Sequence, residues 1–155
     1  MVRLVIAGIL LTGLFLTCAL AQEADFKEVL PQASSFTPVE KDKVVLYYKA
    51  EDREGKLIGA VFKAVGKSHS SNIETLVGML NDGTITAIKV LSQNETPGIG
   101  SRITESAFTD QFRNIKDVTN VQAITGASVS SYTVIESVRK KAEEIKELLK
   151  TRGVK

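Results

Sequence analysis

Hydrophobic and polar positions divide the chain into an apolar run at the N-terminus and a longer region of short, alternating segments. Residues 4–20 carry no charged side chain. From residue 22 onward charged residues return, and turn residues separate short apolar stretches, as in a compact domain. This pattern predicts a membrane anchor or signal segment over residues 1–21 and one domain over residues 22–155.

The charges around the apolar run orient it. Arg3 precedes the run, and Glu23 and Asp25 follow it. A run of 17 residues is near the lower limit for a spanning helix, and Ala21 ends a small-x-small pattern typical of signal-peptidase sites. Both interpretations leave the domain on the extracytosolic side. We favour an uncleaved single-pass anchor in a bacterial cell membrane, and cleavage at Ala21 stays open.

Four stretches of the domain have the pattern of β-strands, and turn residues join them in pairs. Gly55 in the first connection supplies a residue that tolerates positive φ. Asp82-Gly83 in the second is typical of a type I′ turn. Residues 32–37 are small and polar and are predicted to be a linker. The predicted strands cover residues 44–50, 57–64, 73–80 and 84–91.

Three further segments have helical patterns. Residues 24–30 form a short helix that stops at Pro31, and residues 105–114 place Phe108 and Phe112 one turn apart. Residues 132–152 form an amphipathic helix with a continuous apolar face. Strands in hairpin pairs together with these helices predict an α+β fold, an antiparallel sheet flanked by helices.

Composition excludes several kinds of function. A net charge of +2 is too small for a nucleic-acid-binding protein, and no nucleic-acid partner is expected. Cys18 and His69 are the only residues of their types, which excludes iron–sulfur clusters and histidine-rich metal centres. Redox chemistry would therefore require an organic cofactor. No catalytic residue and no metal ligand is assigned.

The first segment with candidate chemistry is residues 95–100, Glu-Thr-Pro-Gly-Ile-Gly, which follow the last predicted strand. Pro97-Gly98 fits a type II turn, whose third residue requires positive φ. Gly98 and Gly100 have no side chains, so a flat ligand could approach the backbone. A plain connection between a strand and a helix is the alternative, and both interpretations stay open.

The second segment is residues 125–131, Thr-Gly-Ala-Ser-Val-Ser-Ser, directly before the last helix. Its hydroxyls can cap the helix, and Thr133 with Glu136 can form a capping box. The functional alternative is that unpaired N–H groups at the helix start bind a phosphate. Gly126 and Ala127 would then leave room for a bulky group on the neighbouring hydroxyl.

Together these segments resemble the FMN-binding domain family, most of all the G subunits of Rnf electron-transport complexes. The C subunits of sodium-pumping NADH:quinone reductases are more distant relatives. The resemblance implies that a flavin transferase attaches FMN to Ser128 as a phosphoester, with Ser130 as the next candidate acceptor. The other implied cofactor-binding residues are Thr125, Gly126, Ala127, Glu95, Thr96, Gly98, Ile99 and Gly100. The matching segments are residues 26–31, 76–78, 82–83, 95–100 and 123–131.

The resemblance also implies a function. The chain would be an electron-carrying subunit of a membrane complex that transfers electrons between ferredoxin and NAD and translocates Na⁺ or H⁺, and not an enzyme by itself. Its partners would be the other subunits, the membrane and, during maturation, the flavin transferase. The alternatives are a binding or assembly module without cofactor and a stand-alone extracytosolic FMN electron carrier.

Three positions differ from the family pattern. Ser128 stands where the family usually has threonine. Gln122 stands where the transferase normally recognises an acidic residue. Residues 67–72, Lys-Ser-His-Ser-Ser-Asn, replace a stretch that is usually rich in glycine and tyrosine. The first two differences bear on attachment of the cofactor, and the third bears on a partner surface.

Overall fold

The computed structural model of the protein describes residues 22–69 and 71–152. Helix α1 covers residues 22–29. The later helices are α2 (Ser106–Thr109) and α3 (Ser128–Arg152), and 3-10 turns cover Gly100–Thr104, Asp110–Phe112 and Val118–Asn120. The strands are β1 (Ser35–Lys41), β2 (Val44–Glu51), β3 (Leu57–Lys67), β4 (Asn72–Leu80) and β5 (Ile85–Ser92).

The five strands form one antiparallel sheet in the order β1-β2-β3-β4-β5, so each strand pairs with its neighbour in sequence. One row across the sheet joins Tyr48 to Val61, Val61 to Gly78 and Gly78 to Ala87. This sheet and its helices confirm the predicted α+β fold. The N-terminal apolar run lies outside the described residues. Within them, no helix has the length and apolar character needed to cross a bilayer.

Helices cover both faces of the sheet. Helix α3 packs Val134, Val138 and Ile145 into the larger core, as its amphipathic pattern predicts. Helix α1 packs Phe26 and Val29 against the opposite face. Its exposed side is held by Lys89, whose ammonium donates to Asp25 at 2.7 Å and Glu28 at 2.6 Å. These hydrogen bonds raise the pKa of Lys89 above its usual value.

The predicted linker over residues 32–37 is wrong, because β1 begins at Ser35 and forms the edge of the sheet. Only Val39 of this strand is buried, so the strand lacks the alternation by which strands are recognised. Pro38 is compatible with it because an edge strand has one side without partners. The four other predicted strands are confirmed.

The predicted helix over residues 105–114 is interrupted. Only Ser106–Thr109 is α-helical, and Asp110–Phe112 is a 3-10 turn. Phe108 and Phe112 still meet, with ring centroids 5.5 Å apart in an edge-to-face arrangement. Both side chains are buried in the same core, although the helix is not continuous.

The last helix begins at Ser128, one turn earlier than predicted. Thr133 lies inside it and donates its hydroxyl proton to Val129 O at 2.9 Å. The capping box of Thr133 and Glu136 is therefore wrong, since a capping residue must precede the first turn. Ser128 becomes the first residue of the helix.

The β4–β5 turn also differs from expectation. The β4–β5 connection has positive φ only at Gly83, whose N–H donates to Leu80 O at 2.9 Å. A type I′ turn requires two such residues, so the predicted type is wrong. The β1–β2 hairpin instead has this geometry, with Asp42 at φ 53° and Lys43 at φ 66°. Gly55 has positive φ, as predicted.

Candidate functional site

The loop after β5 lies directly against the start of α3. A Cβ atom placed on Gly100 would be 2.8 Å from Ser130 Oγ and 2.8 Å from Glu95 Cβ. Neither contact is tolerable, so this position requires glycine. The two segments with candidate chemistry, 30 residues apart in sequence, are therefore in contact in the fold.

Glu95 is the centre of this contact. Its Oε2 accepts a hydrogen bond from Ser130 Oγ at 2.5 Å and another from Ser68 Oγ at 3.0 Å. Its Oε1 is buried and has no hydrogen-bond partner among the described residues. Because a buried polar oxygen without a partner costs free energy, Oε1 is an acceptor available to a ligand.

The middle of the loop projects outward. Ile99 N donates to Thr96 O at 3.1 Å, and Gly98 has φ 72°. Together with Pro97 this is the predicted type II turn. No atom lies near the position of a Cβ on Gly98, and Ile99 is exposed. The turn thus presents a small and partly apolar surface beside the α3 start.

A second turn leads into α3. Ala127 N donates to Ile124 O at 2.9 Å, and Gly126 has φ 84°. Ser131 Oγ fixes this turn, since it donates to Ala127 O at 2.8 Å and accepts from Ile124 N at 3.1 Å. Ala127 is buried, so only Gly126 leaves open space beside the first hydroxyl of the helix.

The serines at the helix start differ in availability. Ser130 and Ser131 are buried and hydrogen-bonded, whereas Ser128 is exposed. The N–H groups of Ser128, Val129 and Ser130 have no acceptor in the part of the chain that the structure describes. No hydroxyl of residues 125–131 caps them, so the helix start keeps its free donors and the positive end of its dipole.

The structure adds two residues to the predicted site. Arg102 Nη1 donates to Thr125 O at 3.4 Å, which brings a guanidinium beside the exposed Thr125-Gly126 turn. Ser68, at the end of β3, binds Glu95. Arg102 follows the glycine loop by two residues, and its charge is the signal that could have identified it. Ser68 gives no such signal, because only the sheet brings it to the loop.

Gln122 lies outside this contact. Its side chain is exposed, and its backbone is held by Gln111, which accepts from Gln122 N at 2.9 Å and donates to Gln122 O at 3.2 Å. The side chain is therefore free for recognition by another protein. His69 is also exposed and takes no part in the site.

The fold and site define a domain for a phosphate-bearing cofactor, and comparison with known proteins identifies its class. The family model described as the FMN-binding domain matches residues 69–143. The G subunit of the ion-translocating oxidoreductase complex of Methanosarcina acetivorans is 35% identical over 133 residues, which cover 76% of this chain and 71% of that protein.

One further relative supports the same assignment, and one solved structure shows the same fold. The G subunit of the proton-translocating ferredoxin:NAD(+) oxidoreductase complex of Clostridium ljungdahlii is 32% identical over 62% of this chain and 58% of its own length. The crystal structure of NqrC from Shewanella oneidensis has the same fold, with a TM-score of 0.53 and 22% identity over 76% of this chain and 73% of that chain. The chain belongs to the FMN-binding domain family, among the G subunits of ion-translocating oxidoreductase complexes.

The residues present fit FMN, which the resemblance implied and the family assignment confirms. The cofactor has an anionic phosphate, a polyhydroxyl chain and a flat ring. The helix start offers free N–H donors and an exposed hydroxyl, and Arg102 adds a positive charge. Glu95 Oε1 can accept a hydrogen bond, and Ile99 of the same loop is an exposed apolar side chain.

Replacing Gly100 with alanine tests the contact between the loop and α3. The added methyl group would collide with Glu95 and Ser130, so we expect the free energy of unfolding to fall by about 1–3 kcal/mol. Ile99→Ala is the control, since this exposed neighbour should change stability by at most about 0.5 kcal/mol. Denaturant unfolding of the full chain in detergent, followed by circular dichroism, measures both. Equal stabilities for the two variants would contradict the contact.

Proposed function

We propose that the chain carries FMN as a phosphoester on Ser128 and passes electrons as the G subunit of an Rnf-type ion-translocating ferredoxin:NAD oxidoreductase. The observation that carries this proposal is the Glu95–Ser130 contact, which holds the glycine loop against α3 and leaves Ser128 exposed. The membership in such a complex is supported by the relatives that are named as its G subunits. The chain covers 71% and 58% of the lengths of the two relatives described above.

Ser128 is favoured as the acceptor over Ser130 on chemical grounds. The Ser130 hydroxyl donates its proton to a carboxyl oxygen and is buried, so a transferase could not reach it without opening the site. The Ser128 hydroxyl is at the surface, beside the open space at Gly126. Serine stands here in place of the usual threonine, but its hydroxyl oxygen is the same kind of nucleophile.

The phosphate would be held by positive potential. A phosphoester linked to Ser128 keeps a negative charge, which the N–H groups at the start of α3 and its dipole stabilise. Arg102 adds a positive charge beside the Thr125-Gly126 turn, and this charge is partly offset by Glu105 at 3.7 Å. Both contributions weaken as ionic strength rises, because the site is at the surface.

Glu95 has a different role. A carboxylate repels a phosphate, so Glu95 Oε1 suits a hydroxyl of the ribityl chain or an N–H of the ring. FMN, when bound, supplies one-electron and two-electron redox chemistry. The chain's own residues position it: Gly100 sets the distance of the loop from the helix, and Glu95 fixes both segments through hydrogen bonds.

The location outside the cytoplasm, with residues 4–20 as the anchor, belongs to the same proposal. Its support is the uncharged run between Arg3 and Glu23 and the translocating complexes to which the relatives belong. A covalent link prevents loss of the cofactor in a compartment where it could not be replaced.

Separate replacement of the two serines tests the acceptor. We expect Ser128→Ala to abolish the flavin-fluorescent band that survives denaturing electrophoresis after coexpression with a flavin transferase. The control is Ser130→Ala, which should keep the band but form it more slowly, because the change weakens the contact with Glu95 and leaves the Ser128 hydroxyl exposed. Loss of the band in Ser130→Ala but not in Ser128→Ala would show that Ser128 is not the acceptor.

A second candidate function, a binding or assembly module without cofactor, is favoured by Gln122 alone. The exposed side chain is available to a transferase but lacks the negative charge that the transferase normally recognises. We expect Gln122→Asp to raise the initial rate of flavin attachment at least several-fold. The measurement is the time course of covalent flavin fluorescence with purified transferase and FAD. If neither the native chain nor the variant takes up flavin, the module without cofactor is the better account.

A further inference from the structure

The exposed apolar side chains of the described residues are concentrated at one end of the sheet. β2 and β4 begin at this end, and β3 and β5 end there. Helix α3 also begins beside this end, as the contact between Gly66 of β3 and Thr133 of α3 shows. Seven large apolar side chains are exposed in the described part of the chain: Val44, Val45, Val65, Leu91, Ile99, Val129 and Tyr132. Ile99, Val129 and Tyr132 adjoin the candidate FMN site, whereas the other four lie around a separate cleft.

This cleft forms where β2 separates from β3. The β2–β3 ladder covers Tyr48 to Glu51, while the residues of β2 before Tyr48 pair with β1 only. β3 nevertheless continues to Lys67, paired with β4. The opening encloses about 590 Å³ and is lined by Val44, Val45, Val65 and Leu91, among others. A volume of this size is in the range of sites for small apolar molecules.

Tyr47 gives the cleft a polar group without a partner. Its side chain is only 1% exposed and lines the cleft, yet its hydroxyl has no hydrogen-bond partner among the described residues. A buried hydroxyl donor of this kind calls for an acceptor from outside. The cleft thus combines mostly apolar walls, in which Asp25, Lys63 and Lys141 are the charged lining residues, with one buried hydroxyl that has no partner among the described residues.

The position of Gln22 indicates what covers the cleft. Gln22 lines the same cleft, and only Ala21 separates it from the apolar run over residues 4–20. One residue spans at most about 3.6 Å, so a bilayer that holds the run must lie close to Gln22. The three charged residues that line the cleft are all paired: Lys63 with Glu74 at 3.0 Å, Lys141 with Glu144 at 3.0 Å and Asp25 with Lys89 at 2.7 Å. In the neighbouring β1–β2 turn, Glu40 and Asp42 offset Lys41 and Lys43.

We propose that this cleft rests on the bilayer surface and takes up a lipid acyl chain, whose ester oxygen accepts the hydrogen bond of Tyr47. The proposal rests on the membrane anchor of the proposed function. Because the charges balance, apolar burial drives the contact, and anionic lipid is not required. The Glu95 loop and the start of α3 lie at the same end of the sheet, so the FMN site then faces the membrane.

Single cysteines in the full chain test this contact. Cys18→Ala removes the native thiol, and Val65→Cys then receives an environment-sensitive fluorophore. Glu54→Cys is the matched control, an exposed residue in the turn at the opposite end of β3, roughly 25 Å from the cleft along the strand. Leu91→Cys is a second cleft position, for use if Val65→Cys lowers the melting temperature. The chains are reconstituted in phosphatidylcholine liposomes that contain lipids with a nitroxide on the acyl chain.

We expect the nitroxide lipids to quench the label at Val65 at least threefold more than the label at Glu54, with no change when anionic lipid is added. Equal quenching of the two labels in chains that float with the liposomes would overturn the proposed contact of the cleft with the bilayer, but not the anchor. Equal quenching is also the result expected if another subunit of the complex covers the cleft, because the liposomes contain this chain alone. Failure to float would contradict the anchor, and covalent flavin fluorescence reports separately on the cofactor.

Discussion

The hydrogen bond from Ser130 to Glu95 is the interaction on which the arrangement of the site depends. It joins the loop that follows the last strand to the start of a helix that begins 33 residues after Glu95. Ser68 adds a third element, since it donates to the same oxygen from the end of β3. Loss of Glu95 would leave two buried hydroxyls without their acceptor, which makes the contact costly to break. Gly100 permits it, because any side chain would separate the loop from the helix.

This constraint gives neighbouring serines different chemistry. The helix turns by about 100° per residue, so Ser128 and Ser130 cannot face the same side. Ser130 points into the contact with Glu95, and Ser131 closes the turn before the helix. Ser128 remains at the surface, beside unpaired N–H groups that could stabilise a phosphate. A buried, hydrogen-bonded serine and an exposed serine therefore lie two residues apart.

Much of the fold can be predicted from the hydrophobic pattern of the sequence, but less of the candidate site can be predicted in this way. Strands β2 to β5 and the apolar face of α3 are visible as periodicity, because one face of each element is buried. β1 is not, since it is an edge strand with little more than Val39 to bury. The glycine loop and the serine segment stand out through residue types and resemblance, but their contact does not. Ser68 reaches the site only through tertiary structure, and so does the contact of Arg102 with Thr125, although Arg102 itself follows the glycine loop in sequence. The predicted start of α3 is one turn late because residues 128–131 are mostly serine, a poor helix former that also favours turns.

The central claim is that FMN is carried by Ser128, which the Glu95–Ser130 contact leaves free. Tandem mass spectrometry of the chain isolated from its native membrane tests this claim most directly. We expect the mass of FMN, less one water, on the peptide that contains residues 125–131, with fragment ions that locate it at Ser128. The same mass located at Ser130, or an unmodified peptide throughout, would contradict the account.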